Sequence, residues 1–192
     1  MRIYPPQLVR EEEQVKITAL VEYAGGTENL WYAVDRHYGD FLTIAKLDAF
    51  VVGLLPFAMQ QNEDIYVNGA LSEKLFYNLT HAFIKILTLL IPSLHPIKII
   101  PEDLDDGKRH STIGGVATGF SGGIDSFCTL IDHLNNSAVP QSYQLTHLVL
   151  NNVGSHGAGG RNLFQKRYQR LLAFAQEVQL PLIKIDSNLH DI

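Results

Sequence analysis

Between residues 119 and 126 the chain reads Gly119-Phe120-Ser121-Gly122-Gly123-Ile124-Asp125-Ser126, and residues of these types in this order can hold an anion. Two adjacent glycines let the backbone approach a ligand closely and turn successive N–H groups toward one point. A helix that starts directly afterwards adds the partial positive charge of its N-terminus. Ser121 and Ser126 contribute hydroxyl donors. Asp125 is the odd member, because a bare carboxylate repels phosphate unless it caps the helix or faces a Mg²⁺ ion. The same letters also suit an ordinary strand-to-helix turn in which Asp125 or Ser126 is the N-cap.

The run Ser121-Gly122-Gly123-Ile124-Asp125-Ser126 resembles, letter for letter, the SGGxDS loop of the N-type ATP pyrophosphatases, or PP-loop ATPases. That superfamily includes GMP, NAD and asparagine synthetases, tRNA thiolation enzymes, tRNA-lysidine synthetase and the deazaguanine nitrile synthase. A P-loop kinase is the poorer match, since no Lys-Ser or Lys-Thr follows the glycines. The resemblance spans roughly residues 112–190. It implies that Ser121, Gly122, Gly123, Asp125 and Ser126 grip the pyrophosphate part of ATP, with Mg²⁺ bridging the phosphates and Asp125 as the metal-facing carboxylate. It further implies attack of a substrate carboxylate or carbonyl oxygen on the α-phosphorus, loss of pyrophosphate, and capture of the adenylylated intermediate by an amine, ammonia or a sulfur donor. The loop's part in such chemistry is to stabilise charge on the leaving pyrophosphate. The acceptor, whether small molecule or tRNA, is left open, as is a nucleotide-binding regulatory or partner module without turnover of its own. The cysteine cluster with which the deazaguanine nitrile synthase holds zinc has no counterpart, because Cys128 is the only cysteine.

Two further polar groups are expected near the same place. Asn151-Asn152-Val153-Gly154-Ser155-His156-Gly157-Ala158-Gly159-Gly160-Arg161 follows a short apolar strand, and open α/β sheets bind ligands at that end of their strands. By resemblance the adenine lies there, with the backbone around Asn152 and Val153 reading the base. Arg161 or His156 is placed to touch phosphate or substrate, although a solvated loop histidine and a solvated basic face (Arg161, Lys166, Arg167, Arg170) are equally open. Asp186-Ser187-Asn188 follows the next strand, where turn chemistry alone also favours these types. Cys128, between Phe127 and Leu130, reads as a packed thiol. Trp31-Tyr32 reads as strand core, Asp35 to Asp40 as a polar turn and His81 as solvated.

The elements that must position the loop follow from periodicity. Val116 to Phe120 is a strand, and a helix after the glycines carries Phe127, Leu130, Ile131 and Leu134 on one face. Thr146 to Leu150 is a second strand, Phe164 to Val178 a second amphipathic helix and Leu182 to Ile185 a third strand. Alternation of strand and helix implies a parallel, doubly wound α/β sheet, which the resemblance makes HUP-type, adenine nucleotide alpha hydrolase-like. Three strands are half of such a sheet, so an open edge, a missing C-terminal half or a homodimer is expected.

Before the acidic run Glu102 to Gly107 the pattern differs. Val15 to Tyr23 alternates as a strand, Ala24 to Thr27 turns, and Leu30, Tyr32 and Val34 continue as a hairpin partner. Leu47 to Ala58 has helical spacing that Pro56 should kink or shorten. A strand at Ile65 to Val67, a helix whose stripe is Leu71, Leu75, Leu79, Ala82, Phe83, Ile86 and Leu90, and a strand at Ile97 to Ile100 complete a small α+β domain. The expected division is thus 1–108, of unknown role, and 109–192, the ATP-binding α/β domain.

Composition excludes several classes. The 192 residues are 46% hydrophobic and carry a net charge of -5 without a basic block, which argues against a nucleic-acid backbone or an anionic membrane as main partner. The longest apolar stretch, Ala49 to Met59, is far short of the ~20 residues a bilayer requires, and nothing at Met1 to Pro6 resembles an export signal. A cytoplasmic protein is expected, and the sequons at Asn78 and Asn135 read as chance.

Overall fold

The computed structural model describes residues 1–107, 115–134, 136–153 and 160–192. Among these residues the centre is one mixed sheet of nine strands, to which both halves of the chain contribute. The N-terminal strands are β1 (Arg2–Ile3), β2 (Gln7–Arg10), β3 (Gln14–Tyr23), β4 (Gly26–Asp35), β5 (Ile65–Ser72) and β6 (Ile99–Asp105). β7 (Ala117–Gly119), β8 (His147–Asn152) and β9 (Leu182–Ser187) follow. β1 and β2 run along one edge of β3 as a single line broken at Pro5-Pro6, since proline has no N–H for the ladder. β3 and β4 form the expected antiparallel hairpin, with Tyr23 opposite Gly26, so its turn is two residues tighter than Ala24 to Thr27. β5 lies parallel to β1, and β6 parallel to β5.

β7, β8 and β9 pair in parallel, as the alternation of strand and helix requires. Their open edge at β9 is closed by the chain itself: β4 pairs antiparallel with β9, Tyr32 opposite Ser187 and Val34 opposite Ile185. The acidic run Glu102 to Asp105 is the end of edge strand β6, where charge discourages edge-to-edge pairing. Asp105, at its end, is buried against the Lys46 ammonium at 2.6 Å. Residues 108–114, where the division was expected, lie outside the described residues.

Among the described residues five α-helical segments cover the sheet, and each half of the chain uses a different face. α1 (Asp48–Gln61) buries Phe50, Val51, Leu54, Leu55, Ala58 and Met59 against Ile17, Val21, Leu30, Ile65 and Val67. Pro56 neither stops nor shortens it, because both Pro56 and Val52, whose carbonyl loses its bond, lie on the wet face. α2 (Glu73–Asn78) and α3 (Ile84–Leu90) are joined by a π-turn at Leu79–Phe83. That turn corrects the expected stripe. The inward residues run Leu75, Leu79, Ile84 and Leu87, a step of five replacing four across the turn, so Phe83, Ile86 and Leu90 are exposed. Leu71 belongs to β5.

α4 (Ile124–His133) and α5 (Arg161–Glu177) pack side by side on the other face. Phe120 stacks on Phe174 with ring centroids 5.2 Å apart, and Phe127 meets both rings edge-on. Leu130, Leu148, Leu150, Phe164, Ala175 and Leu182 complete this second core. Ile131, expected on the buried face, is 72% exposed. Along β9 the alternation of strand residues splits the two cores: Leu182 enters the second, whereas Ile185 packs on the first. No helix among the described residues is long and apolar enough to cross a membrane.

Candidate functional site

Phe120 fixes the loop. Its side chain is 1% exposed in the second core and its N–H donates to the Val149 carbonyl at 2.8 Å, so the chain leaves β7 anchored and turns at once. Gly122 has φ +76°, the left-handed region in which a Cβ is costly. A Cβ there would also stand 2.8 Å from Leu171 Cδ2 of α5, so the loop is pressed directly onto that helix. Gly119 faces open space instead, with nothing within 4 Å of where a Cβ would be.

Gly123 is the N-cap residue of α4, and no side chain caps this helix end. The reading of Asp125 or Ser126 as an ordinary N-cap therefore does not hold. Ser126, buried, turns its hydroxyl back to donate to the Gly123 carbonyl at 2.8 Å and stands 3.3 Å from Ser121 Oγ. The Gly123 N–H points to Ser121 Oγ at 3.4 Å. Asp125 is exposed in the first turn of α4. Glycine backbone, a helix end without a side-chain cap and two adjoining hydroxyls thus converge over a few ångströms.

Beside the loop lies a cavity of about 420 Å³ lined by Gly119, Phe120, Ser121, Val149, Leu150, Asn151 and Arg167. Of the residues expected at the site, the structure brings the Ser121 to Ser126 loop to the C-terminal ends of β7 and β8. It does not turn the side chains of Asn152 and Val153 toward it. Asn152 is buried with its amide donating to Asp186 Oδ1 at 2.7 Å, and Val153 packs against the first core. Asn151 and Arg167 line the cavity in their place. Asn151 opens the second polar group singled out in the sequence, without a role of its own, and Arg167 reads there only as part of the basic face of its helix. Arg161 is the first residue of α5, but its side chain and His156 lie outside the described residues.

Asp186, Ser187 and Asn188 serve the sheet. Asp186 Oδ1 also accepts the Ser187 N–H at 3.0 Å, and Ser187 Oγ donates to the Trp31 carbonyl at 2.8 Å while accepting the Leu189 N–H. Asn188 accepts the Trp31 N–H and donates to the Asn29 carbonyl, both at 2.9 Å. A larger cavity of about 440 Å³ lies at this seam, lined by Glu11, Glu12, Glu13, Asp35, Lys184 and Asp186 among others. Much of its charge is internally matched: Glu11 pairs with Lys16 at 2.6 Å and Asp35 with Lys184 at 3.0 Å. Burial also raises the pKa of Tyr168, whose ring lies 5.4 Å from the Lys184 ammonium.

Cys128 is exposed, correcting its reading as a packed thiol. Ser126 and Leu130 define the buried face of α4, and position 128 falls on its far side. Trp31 is half-buried, with the Lys16 ammonium 5.3 Å from its ring, and His81 is exposed and stacked on Tyr77.

The chemistry of the loop fits a phosphate ligand, with open space at Gly119 and the uncapped N-terminal end of α4 beside it. Among the described residues no three His, Cys, Asp or Glu side chains stand together as a metal cage. A single exposed carboxylate such as Asp125 suits Mg²⁺ shared with phosphate oxygens, since Mg²⁺ retains water and takes few protein ligands. No protein-family model, curated protein or solved structure matches the chain.

Proposed function

We propose that this chain binds ATP at the Ser121 to Ser126 loop and, as a PP-loop ATPase of HUP-type doubly wound fold, activates a substrate carboxylate or carbonyl by adenylylation with release of pyrophosphate. The observation that carries this reading is the end of α4: a glycine N-cap without a capping side chain, preceded by a left-handed Gly122 and flanked by the hydroxyls of Ser121 and Ser126. A helix end of this kind offers its first-turn N–H groups to an anion. The anchored exit from β7 holds those donors in place before a ligand arrives, which limits the ordering cost of binding.

In this reading Gly122 and Gly123 bring the backbone up to the β- and γ-phosphates, Ser121 donates from the side, and Ser126 joins it by turning its hydroxyl away from the Gly123 carbonyl. Asp125 would hold the metal. Bound Mg²⁺ would supply charge neutralisation across the phosphates. As the bond between the α- and β-phosphates breaks, negative charge gathers on the departing pyrophosphate, and the fixed N–H donors stabilise it. The ends of β8 offer Asn151 and the backbone at Asn152 and Val153 to the nucleoside.

Calorimetric titration with Mg²⁺-ATP, beside Mg²⁺-GTP, AMP and a Ser126→Ala variant, tests the reading. Saturable ATP binding that the variant weakens supports it, and no binding by the wild-type chain sinks it. Pyrophosphate release with a carboxylate or carbonyl acceptor then separates an enzyme from a binding module without turnover.

A further inference from the structure

The geometry points to Arg167 as the cation that holds the phosphate chain of the bound nucleotide, completing from α5 a site whose other donors come from the β7–α4 loop. This inference rests on the reading of that loop as a nucleotide site. Three features of the structure carry it. Arg167 lines the same cavity as Gly119 and Ser121, although it is 46 residues away from Ser121 in sequence. Leu171, one turn further along α5, is the residue that Gly122 is pressed against, so the face of α5 bearing positions 167 and 171 is the one that meets the loop. And Asp125, the acidic residue of the loop, brings a negative charge to a place otherwise furnished with neutral donors, so a bound polyphosphate would need positive charge from elsewhere.

A guanidinium answers that need better than a second amide. Its planar fork makes paired hydrogen bonds to two phosphate oxygens, and its charge does not titrate in the working range. A lysine at the same position would keep the charge but lose the fork. Arg167 is exposed on α5, so its replacement should leave the second core intact. Arg170 is exposed on the same helix but does not line the cavity, and it serves as the control for general basic charge.

The test is calorimetric titration of the full chain with Mg²⁺-ATP and with Mg²⁺-pyrophosphate, for wild type, Arg167→Gln, Arg167→Lys, Arg170→Gln and Ser126→Ala, each checked by thermal melting. The expected result is at least a tenfold weakening of both ligands in Arg167→Gln, a smaller weakening in Arg167→Lys and wild-type affinity in Arg170→Gln, with all Arg167 variants melting as wild type does. Wild-type affinity for both ligands in Arg167→Gln and Arg167→Lys, with Ser126→Ala weakened, overturns the role of Arg167 and leaves the loop reading standing. Equal weakening in Arg167→Gln and Arg170→Gln overturns it as well, since helix charge alone would then account for the effect. If the wild-type chain binds neither ligand, the loop reading falls and this inference falls with it.

Discussion

Two short polar segments sit at the C-terminal ends of β9 and β7, parallel strands separated by β8, and they differ in what their polar atoms do. In Asp186-Ser187-Asn188, at the end of β9, the side chains are committed to the protein: Ser187 and Asn188 bond the backbone of β4 at Trp31 and Asn29, and Asp186 holds Asn152. In Ser121 to Ser126, after β7, the Ser126 hydroxyl is bonded to the Gly123 carbonyl, but the helix end that follows carries no capping side chain. Serine, aspartate and a sheet edge are common to both. What separates a fastening from a site is whether the donors already have acceptors within the fold.

The comparison can be sharpened first through its fastened side. Tyr32, opposite Ser187 on β4, is buried with its hydroxyl donating to the Ala49 carbonyl, and desolvation pushes its pKa up to about 12. A tyrosine harder to ionise when folded than when unfolded favours the fold fully below about pH 10. That contribution is lost as pH climbs through about 12, by up to roughly 2.7 kcal/mol for two units. Denaturant unfolding between pH 9 and pH 12 should show this decline, and Tyr32→Phe should flatten it; an unchanged slope in the variant would assign the decline elsewhere.

Ser187→Ala comes next. The residue is 2% exposed and its loss strands the Trp31 carbonyl and the Leu189 N–H, so stability should fall by about 1–3 kcal/mol in urea titration. Nucleotide affinity should not change. A variant that loses ATP while keeping its stability would mean that the two segments have been assigned the wrong way round.

Gly122→Ala works on the other side. Its left-handed φ and the contact with Leu171 should cost about 1–2 kcal/mol of stability, and the displaced loop should lose ATP. The smallest effect on the fold belongs to Asp125→Ala, which replaces an exposed side chain and should shift stability by no more than about 0.5 kcal/mol. Affinity for Mg²⁺-ATP should nevertheless drop, and more than affinity for ATP with the metal chelated; equal affinities in wild type and variant would remove Asp125 from the metal's side of the site.

Much of this architecture was legible in the sequence. The alternation at Val15 to Tyr23 is a strand because one face of it is buried and the other is not, and the 3.6-residue stripe of α5 survives folding for the same reason. The loop was legible too, since Gly122 takes a left-handed φ that few other residues can follow. Elsewhere local pattern was overruled. Between Leu79 and Ile84 the π-turn moved Phe83, Ile86 and Leu90 out of the expected stripe, because the inward residues are chosen by the packed core and not by helical period alone.

The sequence by itself determined the period of each main element and the chemical types gathered in the loop, because both are properties of neighbouring residues. Only the tertiary structure decided that β4 closes the edge of β9, that Asp186 and Ser187 fasten that seam, and that Arg167 and Ser121 line one cavity. Those are encounters between residues far apart in the chain. They are fixed by which faces bury apolar surface against each other and by which buried polar atoms must find partners, neither of which local spacing records.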